Sequence, residues 1–462
     1  MKKSAILAPA LVFAMALSAS AQAVDKNKDN TETVKITVSG GWDIDFVFRS
    51  RELADALGFV QDDLTTIEAN ANVRLDIDLT EKVSVVMSFT NERLDDGSVN
   101  GTLGTSGSGS DGLDVVIWDL AVKMQEVLDP ALTIQLGTQN DFMFDVRGKG
   151  SPLFFAPGHS TSMSTKVNSG DTAGNSDYMQ PSGIVGWYNR EAVHLAVALL
   201  PAIIEGGDAG SDEAAYAATL YYDLDSVGKG SRLGVILCAS SLPRLAGVPA
   251  GLTGATSSVI TIGAGASLKG LGGMEGLEVF AEFYFQSGDI GSSGDAGGSA
   301  FHLGGHYDLQ GDSAPWVELQ FTIMSGDDNL ADNDVDSFLS YENVNDLLII
   351  ENQLFGFNWN TNMTTIKISG GMSFTAGGGA KNNISLSGIL GICKTSEDVG
   401  AAPNDTDKLG TEFDVKLTYW FSKAVSFDVN LGFLSGSDVL ELVTLPSEDS
   451  ASVFTVGMTG KF

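Results

Sequence analysis

Charged side chains recur at alternate positions along several segments of this chain of 462 residues. In residues 34–48, for example, Asp43 stands between the apolar residues Trp42 and Ile44. Successive side chains of a β-strand point to opposite faces, so this pattern predicts strands with one polar and one apolar face. Carboxylates collected on one wall repel anions and concentrate cations. The charged residues predicted to line such a wall are Asp43, Asp45, Arg49, Arg74, Asp76, Glu278, Glu282, Glu318, Glu412, Asp414, Lys416 and Asp428.

The sequence offers no grouping typical of catalysis. Its four histidines are His159, His194, His302 and His306. Gly158-His159-Ser160 is not a nucleophile elbow, and neither a Cys-His pairing nor an HExxH motif occurs. His302 and His306 would stand about 13 Å apart on a strand, too far to share one metal ion. We therefore expect no enzyme and no cofactor.

Residues 327–336 form an acidic stretch with hard oxygen ligands of the kind that Ca²⁺ prefers. The stretch lacks the glycine and the terminal glutamate of an EF-hand loop, so that motif fails. A solvated acidic loop is the favoured interpretation, and a Ca²⁺ site is the alternative.

The elements that position these residues are strands of an all-β fold. Their apolar faces, as in residues 67–79 and 413–421, often run over five to seven positions, longer than in a globular strand, which has about 5–6 residues in all. Short turns are predicted at 80–82, 129–130, 189–191, 225–230, 270–276, 310–315, 376–381 and 422–423. Long loops are predicted at 93–112, 141–181, 204–213, 242–256, 287–297, 325–361, 394–409 and 436–449.

This alternation of short and long connections is typical of a transmembrane antiparallel up-and-down β-barrel, with periplasmic turns and extracellular loops. The pattern predicts about 18 strands, an even number that leaves both termini in the periplasm. The strand at 362–375 has the weakest pattern, so about 16 strands is the alternative. The loops at 141–181 and 325–361 are the candidates for a constriction of the lumen. Within the first of them, Arg147 and Lys149 either line that constriction or are surface charges.

The two ends of the chain indicate export. Residues 1–23 have the pattern of a secretory signal peptide, with a charged start, a short apolar run and the cleavage signal Ala21-Gln22-Ala23. The mature domain is then predicted to span 24–462. The last segment, 454–462, alternates apolar and polar residues and ends on Phe462. It resembles the closing strand of bacterial outer-membrane barrels, whose end is read by the barrel assembly machinery.

Composition supports this class of protein. The formal net charge of −33 argues against nucleic acid or an anionic lipid surface as a partner. With 43% hydrophobic and 18% charged residues, the chain is too apolar to be disordered. The two cysteines, Cys238 and Cys393, lie in distant predicted strands, so we interpret them as incidental rather than as a disulfide framework.

Three short patches carry a family resemblance. They are Leu136-Gly137-Thr138-Gln139-Asn140-Asp141 followed by Asp145-Val146-Arg147-Gly148, then Ser325-Gly326-Asp327-Asp328-Asn329, and Gly410-Thr411-Glu412-Phe413-Asp414. These patches resemble the alginate-export family of outer-membrane porins. The resemblance implies a lumen rich in Arg and Lys that passes an anionic polyuronate. The predicted lumen leans acidic instead, which fits a neutral or cationic solute better.

The sequence therefore predicts a porin in the outer membrane of a diderm bacterium, in contact with outer-membrane lipid. It would be a passive diffusion channel for small hydrophilic solutes or oligosaccharides, without anion selectivity. The alternative of a different class is a surface barrel with a blocked lumen that acts as an adhesin or envelope structural protein. A third possibility is a soluble, secreted β-rich protein.

Overall fold

In this computed structural model of the protein, most of the described residues belong to strands. The structure describes residues 34–50, 53, 65–90, 116–138, 144–148, 182–201, 214–241, 258–290, 294–329, 334–338, 346–352, 357, 359, 361–375, 383–399, 406–443 and 449–462. The predicted signal peptide, 1–23, lies outside these ranges, as does Lys149. Among the residues described, no helix is long and apolar enough to cross a membrane.

Nineteen strands are assigned within these ranges, joined into one antiparallel sheet. They are β1 (Lys35–Arg49), β2 (Thr65–Asp78), β3 (Val83–Thr90), β4 (Val116–Met124), β5 (Leu132–Thr138), β6 (Ser182–Arg190), β7 (Val193–Pro201), β8 (Ala214–Asp223), β9 (Arg232–Ser241), β10 (Ser258–Lys269), β11 (Leu277–Ile290), β12 (Gly294–Ala296), β13 (Ser299–Asp308), β14 (Trp316–Met324), β15 (Met363–Phe374), β16 (Ile384–Val399), β17 (Thr406–Trp420), β18 (Val425–Ser435) and β19 (Ser450–Lys461). A 3₁₀ turn, Leu271–Gly273, and a short helix, Asp438–Val443, complete the assigned elements.

The sheet closes on itself because β1 pairs with both β2 and β19. At the closure, Gly40 and Phe462 exchange two backbone hydrogen bonds of 3.1 Å. Strand β12 has three residues and pairs with the end of β11, which also pairs with β13, and Ala296 of β12 forms an isolated bridge with Val335. The barrel is therefore a closed, antiparallel barrel of 18 strands, as the sequence predicts.

Alternation along the strands separates an exposed apolar exterior from an interior face whose side chains are polar or buried. On β9 the side chains of Leu233, Val235 and Leu237 are 43–52% exposed, whereas the alternate residues Ile236 and Cys238 are buried. The same alternation places Phe283 and Phe285 of β11 outside. Period-two spacing was the signal that predicted these faces.

Six of the predicted short turns lie between consecutive strands: 80–82, 129–130, 225–230, 270–276, 310–315 and 422–423. The turn predicted at 189–191 overlaps the end of β6, and 376–381 lies outside the described residues. Strand β15 falls at the weakly patterned segment 362–375. The turn from β10 to β11 illustrates the local chemistry. Gly270, Gly272, Gly273 and Gly276 have φ between 65° and 88°. This left-handed region is costly for residues that carry a Cβ, so the turn needs glycine at these positions.

Two predicted long loops are shorter than expected. Strand β11 continues to Ile290 and pairs with β12, so the predicted loop 287–297 is largely a hairpin extension. Strand β16 continues to Val399 and β17 begins at Thr406, which shortens the predicted loop 394–409. The residues of both strand extensions are mostly polar. Polar residues show where the apolar exterior of the barrel ends, but the backbone pairing of the strands continues beyond that point.

The exposed apolar exterior generates a prediction about stability. Replacing Ile262, which is 56% exposed near the middle of β10, by Arg should lower the free energy of unfolding in lipid vesicles by about 2–4 kcal/mol. The physical reason is that an arginine at that depth must enter hydrocarbon. Urea titration followed by heat-modifiable gel migration measures the change.

Met274→Arg is the matched control, because Met274 is 51% exposed but lies in the turn beyond β10. Its effect should be within about 0.5 kcal/mol. Equal, small effects of both substitutions would contradict a lipid-facing exterior.

Candidate functional site

The charged residues predicted from the sequence all belong to the strand faces opposite the exposed apolar side chains. This set comprises Asp43, Asp45 and Arg49 on β1, Arg74 and Asp76 on β2, Glu278 and Glu282 on β11, Glu318 on β14, Glu412, Asp414 and Lys416 on β17, and Asp428 on β18. The barrel interior is therefore the candidate functional site. The structure divides the set into residues that remain accessible and residues that are covered.

The accessible members of the set belong mainly to β1, β2 and β18. Arg74 and Asp76 form an ion pair of 3.1 Å with both side chains partly exposed. Asp45 and Asp428 flank Gly457 of β19, with which both are in register. Because glycine has no side chain, position 457 places no group between the two carboxylates. Their negative electrostatic potentials therefore add.

Two segments of the long connections lie inside the barrel, where they pack against its wall. We name residues 144–148 the first inner segment and residues 346–352 the second inner segment. Their apolar side chains belong to the buried core, together with strand residues that point inward. The two loops predicted as constriction candidates thus both contribute residues to the interior.

The first inner segment is held on the faces of β8 to β11. Phe144 stacks on Tyr221 with ring centroids 5.5 Å apart, and the Asp145 amide donates to the Tyr221 hydroxyl at 2.7 Å. Val146 packs over Gly234 and Gly265, where an added Cβ would lie 2.8 Å and 3.2 Å from its methyl groups. Interior glycines therefore create the space that this segment occupies.

Arg147 forms the charged centre of the first inner segment. Its guanidinium donates to both oxygens of Glu318, at 2.9 and 3.3 Å, and to Glu278 at 3.4 Å. It also lies 3.5 Å from the ring centroid of Phe280. Burial by itself would lower the pKa of Arg147, but the contacts with Glu318 and Glu278 raise it. The arginine is thus a charged anchor rather than a surface charge.

The second inner segment is held through its backbone. The amide of Leu348 donates to Asp414 at 2.9 Å. The amides of Ile349 and Ile350 donate to the two oxygens of Glu412 at 2.6 and 2.8 Å. Neither carboxylate is exposed. Successive N–H groups of a turn form a concavity that binds acceptor groups, and here the acceptors are carboxyl side chains of the barrel wall.

Lys367 of β15 provides the cation for this region. Its ammonium donates to Glu351 at 2.8 Å and to Asp346 at 3.1 Å, and Lys416 donates to the Asp346 carbonyl at 3.0 Å. The proximity of Lys367 holds the pKa of Asp346 below its usual range. Burial raises the pKa of Glu351, although Lys367 opposes that shift. The sequence prediction missed Lys367, Asp346 and Glu351.

The covered carboxylates correct the expected picture of the lumen. Glu278, Glu282, Glu318, Glu412 and Asp414 face inward, yet each is at most 8% exposed. Four of them bind an inner segment, and Glu282 accepts a hydrogen bond from the hydroxyl of Tyr284 at 2.8 Å. These side chains are therefore covered by protein, whereas the sequence pattern placed them against lumen water. The sequence pattern identified these residues as inward-facing hydrogen-bond acceptors, but it did not identify the protein groups that bind them.

Glycines on inward-facing positions were the available signal for inner-segment docking. An added Cβ at Gly391 of β16 would lie 2.7 Å from Leu347, and one at Gly432 of β18 would lie 3.1 Å from Leu348. An isolated glycine inside a strand often marks close approach of another element. Such glycines recur under both inner segments.

The acidic stretch 327–336 is only partly described. Asp327 accepts from the Asn329 amide at 3.0 Å, and Asp334 accepts from the Asp295 amide at 2.9 Å. In the described ranges, no group of three His, Cys, Asp or Glu side chains is placed to hold a metal ion. The Ca²⁺ site stays a prediction.

A cavity of about 310 Å³ opens on the interior wall. Its lining includes Glu318, the partner of Arg147, and Asp346 of the second inner segment. It therefore lies on the inner face of strands β13 to β17, beside the contacts of both inner segments. The arrangement combines a polar interior, two inward segments and an open recess.

No protein-family model and no curated protein sequence matches the chain. The resemblance to the alginate-export family therefore stays a prediction. Solved structures do match over nearly the whole chain. OccAB1 of Acinetobacter baumannii is 11% identical, with a TM-score of 0.55 over 95% of this chain and 98% of that one.

Two barrels of Pseudomonas aeruginosa are comparably similar. OccK9 (OpdG) is 11% identical with a TM-score of 0.56, and OpdK, solved with vanillate, is 12% identical with a TM-score of 0.55. Both comparisons cover 92% of this chain and 98% of the other. At such identities the similarity concerns the fold, and the fold is that of outer-membrane porins.

Proposed function

We propose that the chain is an outer-membrane porin that lets small hydrophilic solutes or oligosaccharides diffuse through its lumen. The observation that carries this proposal is the closed 18-strand barrel with an apolar exterior and a charged interior. A barrel of this size is wide enough for a water-filled channel. The proposal needs no energy coupling, because diffusion through a hydrated lumen follows the concentration gradient.

In this proposal the two inner segments form the constriction. Both lie inside the barrel, and buried charges fix each of them to the wall through Arg147 and Lys367. A constriction that is anchored in this way selects solutes by size and by the charges that remain accessible. Export by the signal sequence 1–23 and recognition of Phe462 by the assembly machinery belong to the same proposal.

The accessible acids support a lumen without anion preference. Asp43, Asp45, Asp76 and Asp428 are only partly buried, and Arg74 is paired with Asp76. A pathway beside these carboxylates favours cations and neutral solutes over anions. This charge distribution argues against alginate itself as the solute, although the resemblance to the alginate-export family suggests it.

The test of the proposal is conductance in planar bilayers. The refolded mature chain should produce stable open steps, with a reversal potential in a KCl gradient that indicates cation preference. Absence of conductance from folded, inserted protein would overturn the porin proposal and favour an adhesin or envelope structural protein with a blocked lumen. Anion preference would keep the channel but contradict the acidic pathway.

Neutralising one accessible acid should change ion selectivity measurably. Asp45→Asn preserves the shape of the side chain and removes a charge that acts on ions at a distance of about 7 Å. At that distance in water the interaction is about 0.6 kcal/mol, attractive for a cation and repulsive for an anion, so the cation-to-anion permeability ratio should fall by up to roughly sevenfold. Glu275→Gln, in the exposed turn between β10 and β11, is the control and should leave the ratio unchanged.

Removing the buried cation should release the second inner segment. Lys367→Met leaves the unexposed Glu351 carboxylate without its ammonium partner, a change that costs about 3–5 kcal/mol. We expect a larger single-channel conductance, with the barrel itself still showing heat-modifiable migration. Lys408→Met breaks a 3.2 Å pair with Asp438 at the surface and should change neither property. An unchanged conductance in Lys367→Met would contradict the constriction assignment.

A further inference from the structure

The cavity between the inner segments has an aromatic wall. The Trp316 indole stacks on the His306 ring, with centroids 5.6 Å apart and an interplanar angle of 25°. It lies over Gly371 of β15, where an added Cβ would be 2.8 Å from Nε1. The glycine thus allows the indole to lie along the wall. His306 is itself fixed by Glu318 at 2.8 Å and Asp308 at 3.1 Å, so the pair forms a rigid platform.

Polar groups surround this platform. Gln320 donates through Nε2 to Glu318, and within the described part of the chain its buried Oε1 accepts no hydrogen bond. The hydroxyl-bearing residues Ser369 and Ser387 line the same cavity. Donors and acceptors therefore converge on one recess beside an aromatic surface, the arrangement that small-molecule sites use to orient a ligand.

The two carboxylates at the cavity are already paired with cations. Glu318 is bound by Arg147, Asp346 is bound by Lys367, and the Lys416 ammonium donates to a carbonyl of the second inner segment. A charged solute would have to compete with these contacts, whereas an uncharged solute would not. The compensation favours a neutral ligand with many hydroxyl groups.

We infer that this cavity is a binding subsite for a neutral sugar, with one ring face against Trp316 and the hydroxyls bonded to Gln320, Ser369 and Ser387. The inference rests on the proposed channel function and specifies its solute class. The volume of about 310 Å³ lies at the lower end of the range of about 300–1,000 Å³ for small-molecule sites, which fits a mono- or disaccharide.

The experiment uses maltose as the probe and the full mature chain in planar bilayers. Maltose should reduce the current in a saturable manner. Trp316→Ala should raise the apparent Kd at least about fivefold, since loss of a ring contact removes about 1 kcal/mol. Trp316→Phe, which keeps an aromatic ring, should recover most of the affinity. Trp187→Ala, an inward-facing tryptophan on β6 outside the cavity, is the matched control and should bind maltose like the wild type.

The outcomes separate the subsite from the channel. A conducting wild-type barrel whose current maltose does not change overturns the subsite and leaves the porin proposal intact. Equal losses in Trp316→Ala and Trp187→Ala also overturn it. Tighter binding of galacturonate or glucosamine than of maltose would overturn the neutral class of solute. If the barrel does not conduct, the porin proposal fails, and calorimetry of the same variants with maltose in detergent decides the subsite.

Discussion

The structure depends on one constraint, that every backbone N–H and C=O group within hydrocarbon must find a partner inside the protein. Closure of β1 onto β19 meets this constraint, down to the paired backbones of Gly40 and Phe462. Closure in turn fixes the side-chain faces, because a strand that is paired on both edges has only an inward and an outward face left. The apolar exterior and the polar interior follow from it. An opening between any two strands would leave a ladder of unpaired groups in lipid.

A barrel of this width has more interior than its wall side chains fill, and the inner segments occupy part of the remainder. The inner segments bind the wall through charged side chains, which would be too costly to place in lipid. Glu412 and Asp414 accept backbone amides of the second inner segment, and Arg147 of the first inner segment reaches Glu278 and Glu318. A buried charge is costly unless it is paired and hydrogen-bonded. Here each inner segment and the barrel wall supply the partners for each other's buried polar groups. The same carboxylates that mark the interior face in the sequence thus become structural acceptors.

The strands could be predicted from the sequence because period-two alternation and turn residues are local properties. Six of the short turns and the count of 18 strands followed from them. The inner segments could not, because their contacts join residues far apart, such as Arg147 and Glu318 at a separation of 171 positions. Alternation also says nothing about whether an inward acid meets water or protein, so Glu412 and Asp76 look alike in the sequence. Inward glycines such as Gly234 and Gly391 indicate where another element approaches, but they do not identify it.

The distribution of compensated and accessible charges gives the lumen two unlike sides. Around β1, β2 and β18, carboxylates such as Asp45 and Asp428 remain partly exposed and sit close to one another. Along β14 to β17, Glu318 is bound by Arg147, Glu412 by backbone amides, and Lys367 binds Glu351 of the second inner segment, while the wall presents Trp316 and hydroxyl side chains. Ionic attraction decays slowly with distance, whereas ring contact requires direct touch. In the proposed function, the accessible carboxylates of the first side therefore attract or repel ions that stay in the aqueous path. An uncharged solute must instead contact the second side to be retained. The overall acidity of the chain is then a poor guide to selectivity, because the compensated acids no longer act on the solute.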